Sequence, residues 1–179
     1  TYISMFNITN MGAKIVMFAG SEAQKENYAG ILADGGMSSF CLTEPGAGSD
    51  AASVRTTAVR KGDKYIINGN KMFITNASIA DVFLVVASTD LSKGYKGLAT
   101  FIVERNRPGV TVGKKEDKLG MRLSITAEVA FQDVEIPVEN LVGTEETGFV
   151  NAMKVLELSR PLVAVSSVGS SQQAIDLAV

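Results

Sequence analysis

The period of the hydrophobic residues changes twice along the chain, and this restricts the available folds more than any other feature. Within the first 36 residues, Ile8, Met11, Ile15 and Phe18 recur at three- and four-residue steps, the mark of one helical face. Ser21-Glu22-Ala23-Gln24 has the spacing of a capping box. The helix it opens, through Tyr28, Ile31 and Leu32, is predicted to end at Asp34-Gly35-Gly36, where glycine tolerates the left-handed exit. From residue 39 to about 143 the period is two. Ser53 to Arg60 alternates, Lys61-Gly62-Asp63 turns, and Tyr65-Ile66-Ile67 begins a return strand. Asn68-Gly69 then predicts a hairpin turn ahead of Lys71-Met72-Phe73-Ile74-Thr75. Val82 to Ala87 and Ala99 to Val103 are unbroken apolar runs suited to strands buried on both faces, and Ile125 to Ile136 is rich in β-branched residues. From Gly148 the helical period returns in Val150, Met153, Leu156 and Leu158, with a kink expected at Pro161 and a further stripe of Val163, Val165 and Val168. Helices, then a β-module with spaced turns, then a helix predict an α+β fold whose centre is a small antiparallel barrel or sandwich.

Composition narrows the chemistry. There is no histidine, which removes Ser-His and Cys-His nucleophile pairs and any imidazole metal site. Cys41 is the single cysteine, so no internal disulfide and no two-thiolate zinc site can form. With 17 basic and 19 acidic residues the net charge is −2, which offers nucleic acid no general attraction. No stretch approaches the ~20 consecutive apolar residues of a membrane span. The mixed run Lys114-Lys115-Glu116-Asp117-Lys118 reads as a solvated loop. Chemistry therefore falls to carboxylates, hydroxyls, backbone amides or a bound cofactor. No targeting signal is visible, and both ends of the chain read as cuts within something longer.

Two stretches carry the functional information. Phe40-Cys41-Leu42-Thr43-Glu44-Pro45-Gly46-Ala47-Gly48-Ser49-Asp50 leaves a short apolar strand and enters a turn with two glycines. Gly46-Ala47-Gly48 could aim successive amides into one concavity that suits an anion such as a pyrophosphate, with the Ser49 hydroxyl as a further donor. It is not the dinucleotide fingerprint, because a strand follows it instead of a helix. Glu44 and Asp50 read as turn residues. In the second stretch, alternation places Phe73 and Thr75 on one face and Ile74 on the other, so a ring and a hydroxyl could cover a planar cofactor and bond its edge.

Thr43-Glu44-Pro45-Gly46-Ala47-Gly48-Ser49-Asp50 followed by Ile67-Asn68-Gly69-Asn70-Lys71-Met72-Phe73-Ile74-Thr75-Asn76 resembles the acyl-CoA dehydrogenases. The likeness continues through Phe101-Ile102-Val103-Glu104, Leu119-Gly120-Met121-Arg122, Phe131 to Pro137 and Glu157-Leu158-Ser159-Arg160-Pro161, in order along the chain. It implies three parts: residues 1–36 closing an N-terminal helical domain, 37–145 a central β-barrel domain binding FAD and acyl-CoA, and 146–179 opening a C-terminal helical bundle.

The resemblance also implies roles for single residues. Phe40, Leu42, Thr43, Gly48, Ser49, Phe73, Ile74 and Thr75 form the FAD set, with Thr75 at the position whose hydroxyl approaches flavin N5. Phe40 stands where many members have Tyr and Phe73 where many have Trp, so a ring is kept and a polar tip is lost. Ser49 and Thr89 fall where relatives touch the CoA portion, and Glu157 and Arg160 share a helix face that receives its nucleotide end. A plain helix ion pair between those two is the alternative.

The implied reaction removes an α-proton from a thioester while the β-hydride passes to the flavin. Most relatives carry the catalytic glutamate in the C-terminal bundle, and isovaleryl-type members place it where this chain has Ser159. No catalytic base is therefore expected in this chain, and one is expected downstream of Val179. Electron-transfer flavoprotein as acceptor, a homotetramer, and a cytoplasmic or mitochondrial-matrix location follow from the same likeness. An acyl-CoA oxidase reoxidised by oxygen, or a non-catalytic β-barrel that binds a ligand, are the alternatives.

Overall fold

A computed structural model describes the backbone of residues 2–178 and the side chains of residues 11–178. Helices α1 (Tyr2–Ala19) and α2 (Glu22–Ala33) come first. Strands β1 (Ser38–Cys41), β2 (Thr57–Lys61), β3 (Lys64–Thr75) and β4 (Val82–Ser88) follow, then β5 (Leu98–Glu104), β6 (Val110–Lys115), β7 (Thr126–Pro137) and β8 (Leu141–Val142). Helix α3 (Gly148–Ala178) comes last. The capping box forms as predicted: the Gln24 amide donates to the Ser21 hydroxyl at 3.2 Å and the Ser21 amide to the Gln24 side chain at 2.9 Å. The helix exits through Gly35 at φ +85°, and the Gly36 amide reaches back to the Ile31 carbonyl at 2.8 Å.

The strands form one sheet in the order β6-β7-β3-β2-β4-β5-β8, with β1 beside β4. Most pairs are antiparallel, as expected, with two departures. β4 runs parallel to β1 and, at Thr57 and Ser88, parallel to β2, so the sheet is mixed. Its path also ends at β6 and β8 without closing into a barrel. The cause of the first is connectivity: the β2–β3 hairpin lies between β1 and β4 and provides the long crossover that parallel neighbours need.

Strand β4 explains why its sequence does not alternate. Phe83, Val85 and Ala87 enter a core that the curled sheet wraps, with Tyr65, Ile67, Phe101, Val129, Phe131 and Val134. Val82, Leu84 and Val86 enter a second core with Phe40 and Leu42, Met11, Ile15 and Val16 of α1, and Ala152 and Val155 of α3. All seven β4 residues are buried.

Four local expectations are corrected. Asn68-Gly69 is not a hairpin turn; β3 continues through it and pairs with β7 on both sides of a register shift there. The Asn68 side chain instead bonds Asp133 of β7 in both directions, at 2.8 and 3.0 Å. A polar bulge satisfied by the neighbouring strand replaces the turn. Secondly, β2 begins at Thr57, since Ala51–Ser53 form a single helical turn. Thirdly, on α1 the inward face is Met11, Ile15 and Val16, and Phe18 is 57% exposed; Ile8 lies outside the described side chains. Lastly, the buried face of α3 is Gly148, Ala152, Val155 and Ser159, while Val150 and Leu158 are about half exposed. Small residues bring this helix close to β5: a Cβ on Gly148 would lie 2.4 Å from the Ala99 Cα. The helix continues through Pro161.

Gly69 also has the tightest surroundings in the bulge. At φ +155°, a Cβ there would meet the Thr56 hydroxyl at 2.3 Å and its Cα at 2.7 Å. Gly69→Ala is expected to cost about 1–3 kcal/mol by overpacking, measured as a lowered urea midpoint. An unchanged midpoint would mean that Thr56 yields freely.

Candidate functional site

The two informative stretches lie side by side. The Thr43 carbonyl accepts the Met72 amide at 2.9 Å, and the Ser39 hydroxyl donates to the Thr75 carbonyl at 2.8 Å. Beneath them lies Lys71, fully buried, whose ammonium donates to the Leu42 carbonyl at 3.1 Å, the Glu44 carboxylate at 2.8 Å and the Val86 carbonyl at 2.6 Å. Glu44 also accepts the amides of Arg55 and Thr56, at 2.6 and 2.9 Å. Burial raises the pKa of Glu44, but the Lys71 charge and the donors from Lys71, Thr56 and Arg55 outweigh it and hold the carboxyl below its usual range. Burial likewise lowers the pKa of Lys71, and Glu44 partly offsets that. Glu44 is thus a structural residue, though its place is a buried ion pair and more than a turn.

The glycine turn differs from the predicted row of amides. Glu44 and Ala47 exchange two backbone hydrogen bonds, at 3.0 and 3.1 Å, across Pro45-Gly46, so the Ala47 amide is occupied. Gly48 and Ser49 are exposed beyond it. Gly46 and Gly48 have no left-handed φ, and a Cβ on either would have nothing within 4 Å. Neither turn geometry nor internal packing calls for glycine at these positions, whereas close approach of a ligand to the backbone would. Asp50 accepts the Ser53 hydroxyl at 2.5 Å, a turn-closing role.

On the neighbouring strand, Ile74 is 2% exposed in the sheet core, while Phe73 is 60% exposed at φ +58° and Thr75 is half-buried. A non-glycine residue at such a φ costs about 1–3 kcal/mol, which here presents an aromatic ring outward. Among the described residues no partner engages the Thr75 hydroxyl. Phe40 and Leu42 are 8% and 9% exposed in the helix-side core, leaving only an edge of each available. Thr43 is half-buried. These residues fit a flat cofactor with an anionic tail: open backbone at Gly48, free hydroxyls at Ser49 and Thr75, and an outward ring.

The other candidates lie apart. Thr89 sits at the base of the β4–β5 connection, where its hydroxyl and amide both donate to the Gly97 carbonyl, at 3.2 and 2.8 Å. Beside it, a cavity of about 200 Å³ is lined by Ala52, Ser53, Val54, Arg55, Ser88, Leu91 and Gly94. The Ser88 hydroxyl is buried there with no partner among the described residues. Glu157 and Arg160 are exposed on α3 and form no ion pair with each other among the described residues. Glu157 lines an open groove of about 470 Å³ with Phe18, Asn151, Lys154 and Leu158. Ser159 is buried, and its hydroxyl donates to the Val155 carbonyl at 2.7 Å. Sequence reasoning missed Lys71, Arg55 and Ser88. For Lys71 the available signal was a lone lysine inside a strand whose neighbour motif holds one glutamate.

The fold and this site describe a curled β-module between helices, with a glycine turn and a ring-bearing strand at one edge. The family model for the middle domain of acyl-CoA dehydrogenases matches residues 39–134, and the chain belongs to that family. Cyclohex-1-ene-1-carbonyl-CoA dehydrogenase of Geobacter metallireducens is 46% identical over 166 residues, 92% of this chain and 44% of that protein. The caffeyl-CoA reductase-Etf complex subunit CarC of Acetobacterium woodii is 44% identical over 165 residues, again 92% of this chain and 44% of the relative. The solved butyryl-CoA dehydrogenase of Megasphaera elsdenii superposes with a TM-score of 0.92 at 43% identity, covering 96% of this chain and 46% of that one. The chain thus spans less than half the length of these relatives.

Proposed function

We propose that this chain supplies the FAD and acyl-CoA platform of a flavin-dependent acyl-CoA dehydrogenase, with residues 37–145 as the binding domain between helical parts at 1–36 and 146–179. The observation that carries the reading is the Thr43–Met72 hydrogen bond, which sets the glycine turn beside the Phe73–Thr75 strand. FAD, when bound, supplies a hydride acceptor. Phe40, Leu42, Thr43, Gly48, Ser49, Phe73 and Thr75 would hold it, and Ile74, whose side chain is in the sheet core, would contribute only backbone. Ser49 and the bare backbone at Gly48 would offer donors to its anionic tail, the Phe73 ring would cover it, and the Thr75 hydroxyl would donate toward its electron-rich edge. Ser49, Thr89 and the adjoining cavity receive the substrate's polar tail, and Glu157 and Arg160 meet its nucleotide end.

No described residue serves as the α-proton base. Ser159 is buried, hydrogen-bonded to its own helix and without a histidine to activate it. The base is assigned to a residue outside those described. Electron-transfer flavoprotein as acceptor, a homotetrameric assembly and a cytoplasmic or matrix location complete the proposal; among the described residues no helix is long and apolar enough to cross a membrane.

The test is anaerobic addition of an acyl-CoA to the full-length protein. Bleaching of a bound flavin supports the reading, and a colourless protein that retains no FAD contradicts it. The reductase name on a relative of comparable similarity favours a second direction for the same half-reaction. Reduced flavin reoxidised by an enoyl-CoA would reveal it, and oxygen consumption with peroxide would indicate an oxidase. Gly48→Val separates site from turn. With open space at its Cβ, stability should change by no more than about 0.5 kcal/mol, while FAD retention falls. Undiminished retention would reduce the loop to a connection.

A further inference from the structure

We infer that Lys71 and Glu44 are positioning residues for the cofactor site, acting from beneath it; the inference rests on the functional reading above. Together they join four segments that are remote in sequence. Lys71 on β3 holds the carbonyls of Leu42 at the end of β1 and Val86 on β4, and the Glu44 carboxylate in the turn. Glu44 holds the amides of Arg55 and Thr56 at the entry to β2. Each acceptor lies within two residues of something the site needs. Leu42 precedes Thr43, whose carbonyl takes the Met72 amide, and Glu44 opens the turn to Gly48 and Ser49. Val86 lies two residues before Ser88, and Ser88 and Arg55 line the same cavity.

A fully buried charge is an expensive way to join strands that already pair through backbone bonds. An apolar pair of similar volume would serve packing as well or better. What the ion pair adds is direction. Three ammonium protons on three fixed acceptors, with both carboxylate oxygens engaged, leave the turn a single placement relative to the Phe73–Thr75 strand. The flavin side of the site and the cavity beside Ser88 share this anchor, so a loosened anchor disturbs both at once.

The test uses Lys71→Met and Glu44→Gln in the full-length protein, with two readouts. The first is amide hydrogen exchange in FAD-free protein. Protection at Met72, Arg55 and Thr56 should fall at least tenfold, while amides of the β4–β5 pair keep theirs. The second is FAD binding to the same samples. The dissociation constant should rise at least tenfold, and the absorption bands of bound flavin should shift. Glu44→Gln keeps the shape and most hydrogen bonds, so it guards against a Lys71→Met protein that fails to fold. Unchanged local exchange in Glu44→Gln, or lost exchange protection spread evenly over the molecule, overturns the inference. So does FAD affinity within twofold of the unaltered protein, since the pair would then be structural only. If the unaltered protein takes up no FAD, the functional reading fails, and selective loss of protection still supports the anchoring of the turn.

Discussion

Glu44→Ala should destabilise the protein by about 3–5 kcal/mol, the cost of leaving a buried charge without its partner. The Lys71 ammonium would keep only the Leu42 and Val86 carbonyls, and the amides of Arg55 and Thr56 would lose their acceptor. Against a total stability of about 5–15 kcal/mol, this is the largest single effect expected of any side chain in or beneath the site. It has a pH signature. The folded-state pKa of Glu44 is depressed below 4.5, so its stabilisation is full above that value and is lost as pH falls through the depressed one. Lys71 works in the opposite sense: its lowered pKa opposes stability at neutral pH, and that opposition fades only as pH rises through it. The gap in urea midpoint between the unaltered protein and Glu44→Gln should therefore be widest near neutral pH and narrow in acid. A gap independent of pH would show that the carboxylate's charge contributes nothing.

Thr75→Ala should slow flavin reduction by an acyl-CoA by about a hundredfold, the scale for removing one donor aimed at developing negative charge. Thr75 is half-buried and its hydroxyl has no partner among the described residues, so folding depends on it little. The unfolding midpoint should move by no more than about 0.5 kcal/mol in equivalent stability. Stopped-flow absorbance of the flavin measures the first and thermal unfolding the second. An unchanged rate removes Thr75 from the chemistry, and a parallel loss of rate and stability would assign it to packing.

What the sequence reveals and conceals follows from the range of the interactions involved. The α2 cap, its glycine exit and the Lys61-Gly62-Asp63 turn are set by residues within five positions of one another, and they form as read. Runs such as Val82 to Ala87 announce burial on both faces because no polar residue interrupts them. Asn68-Gly69 misleads because its local hairpin preference loses to pairing with β7, which is more than sixty residues away. The inward face of α3 misleads because small or polar residues, Gly148, Ala152 and Ser159, share it with Val155, and Gly148 is set by closeness to Ala99 of β5, not by hydrophobicity. The turn and the ring-bearing strand were both visible, whereas the Lys71–Glu44 pair that binds them was not. A buried ion pair between positions 27 residues apart has no local pattern.

The proposed function requires one cofactor to meet both the glycine turn and the Phe73–Thr75 strand. A crystal structure of the full-length protein with FAD tests this most directly. The expected result is a single flavin with its anionic tail at Gly48 and Ser49 and its ring edge within hydrogen-bond distance of the Thr75 hydroxyl. A flavin bound elsewhere, or one touching the turn while Thr75 faces solvent away from it, would contradict the account.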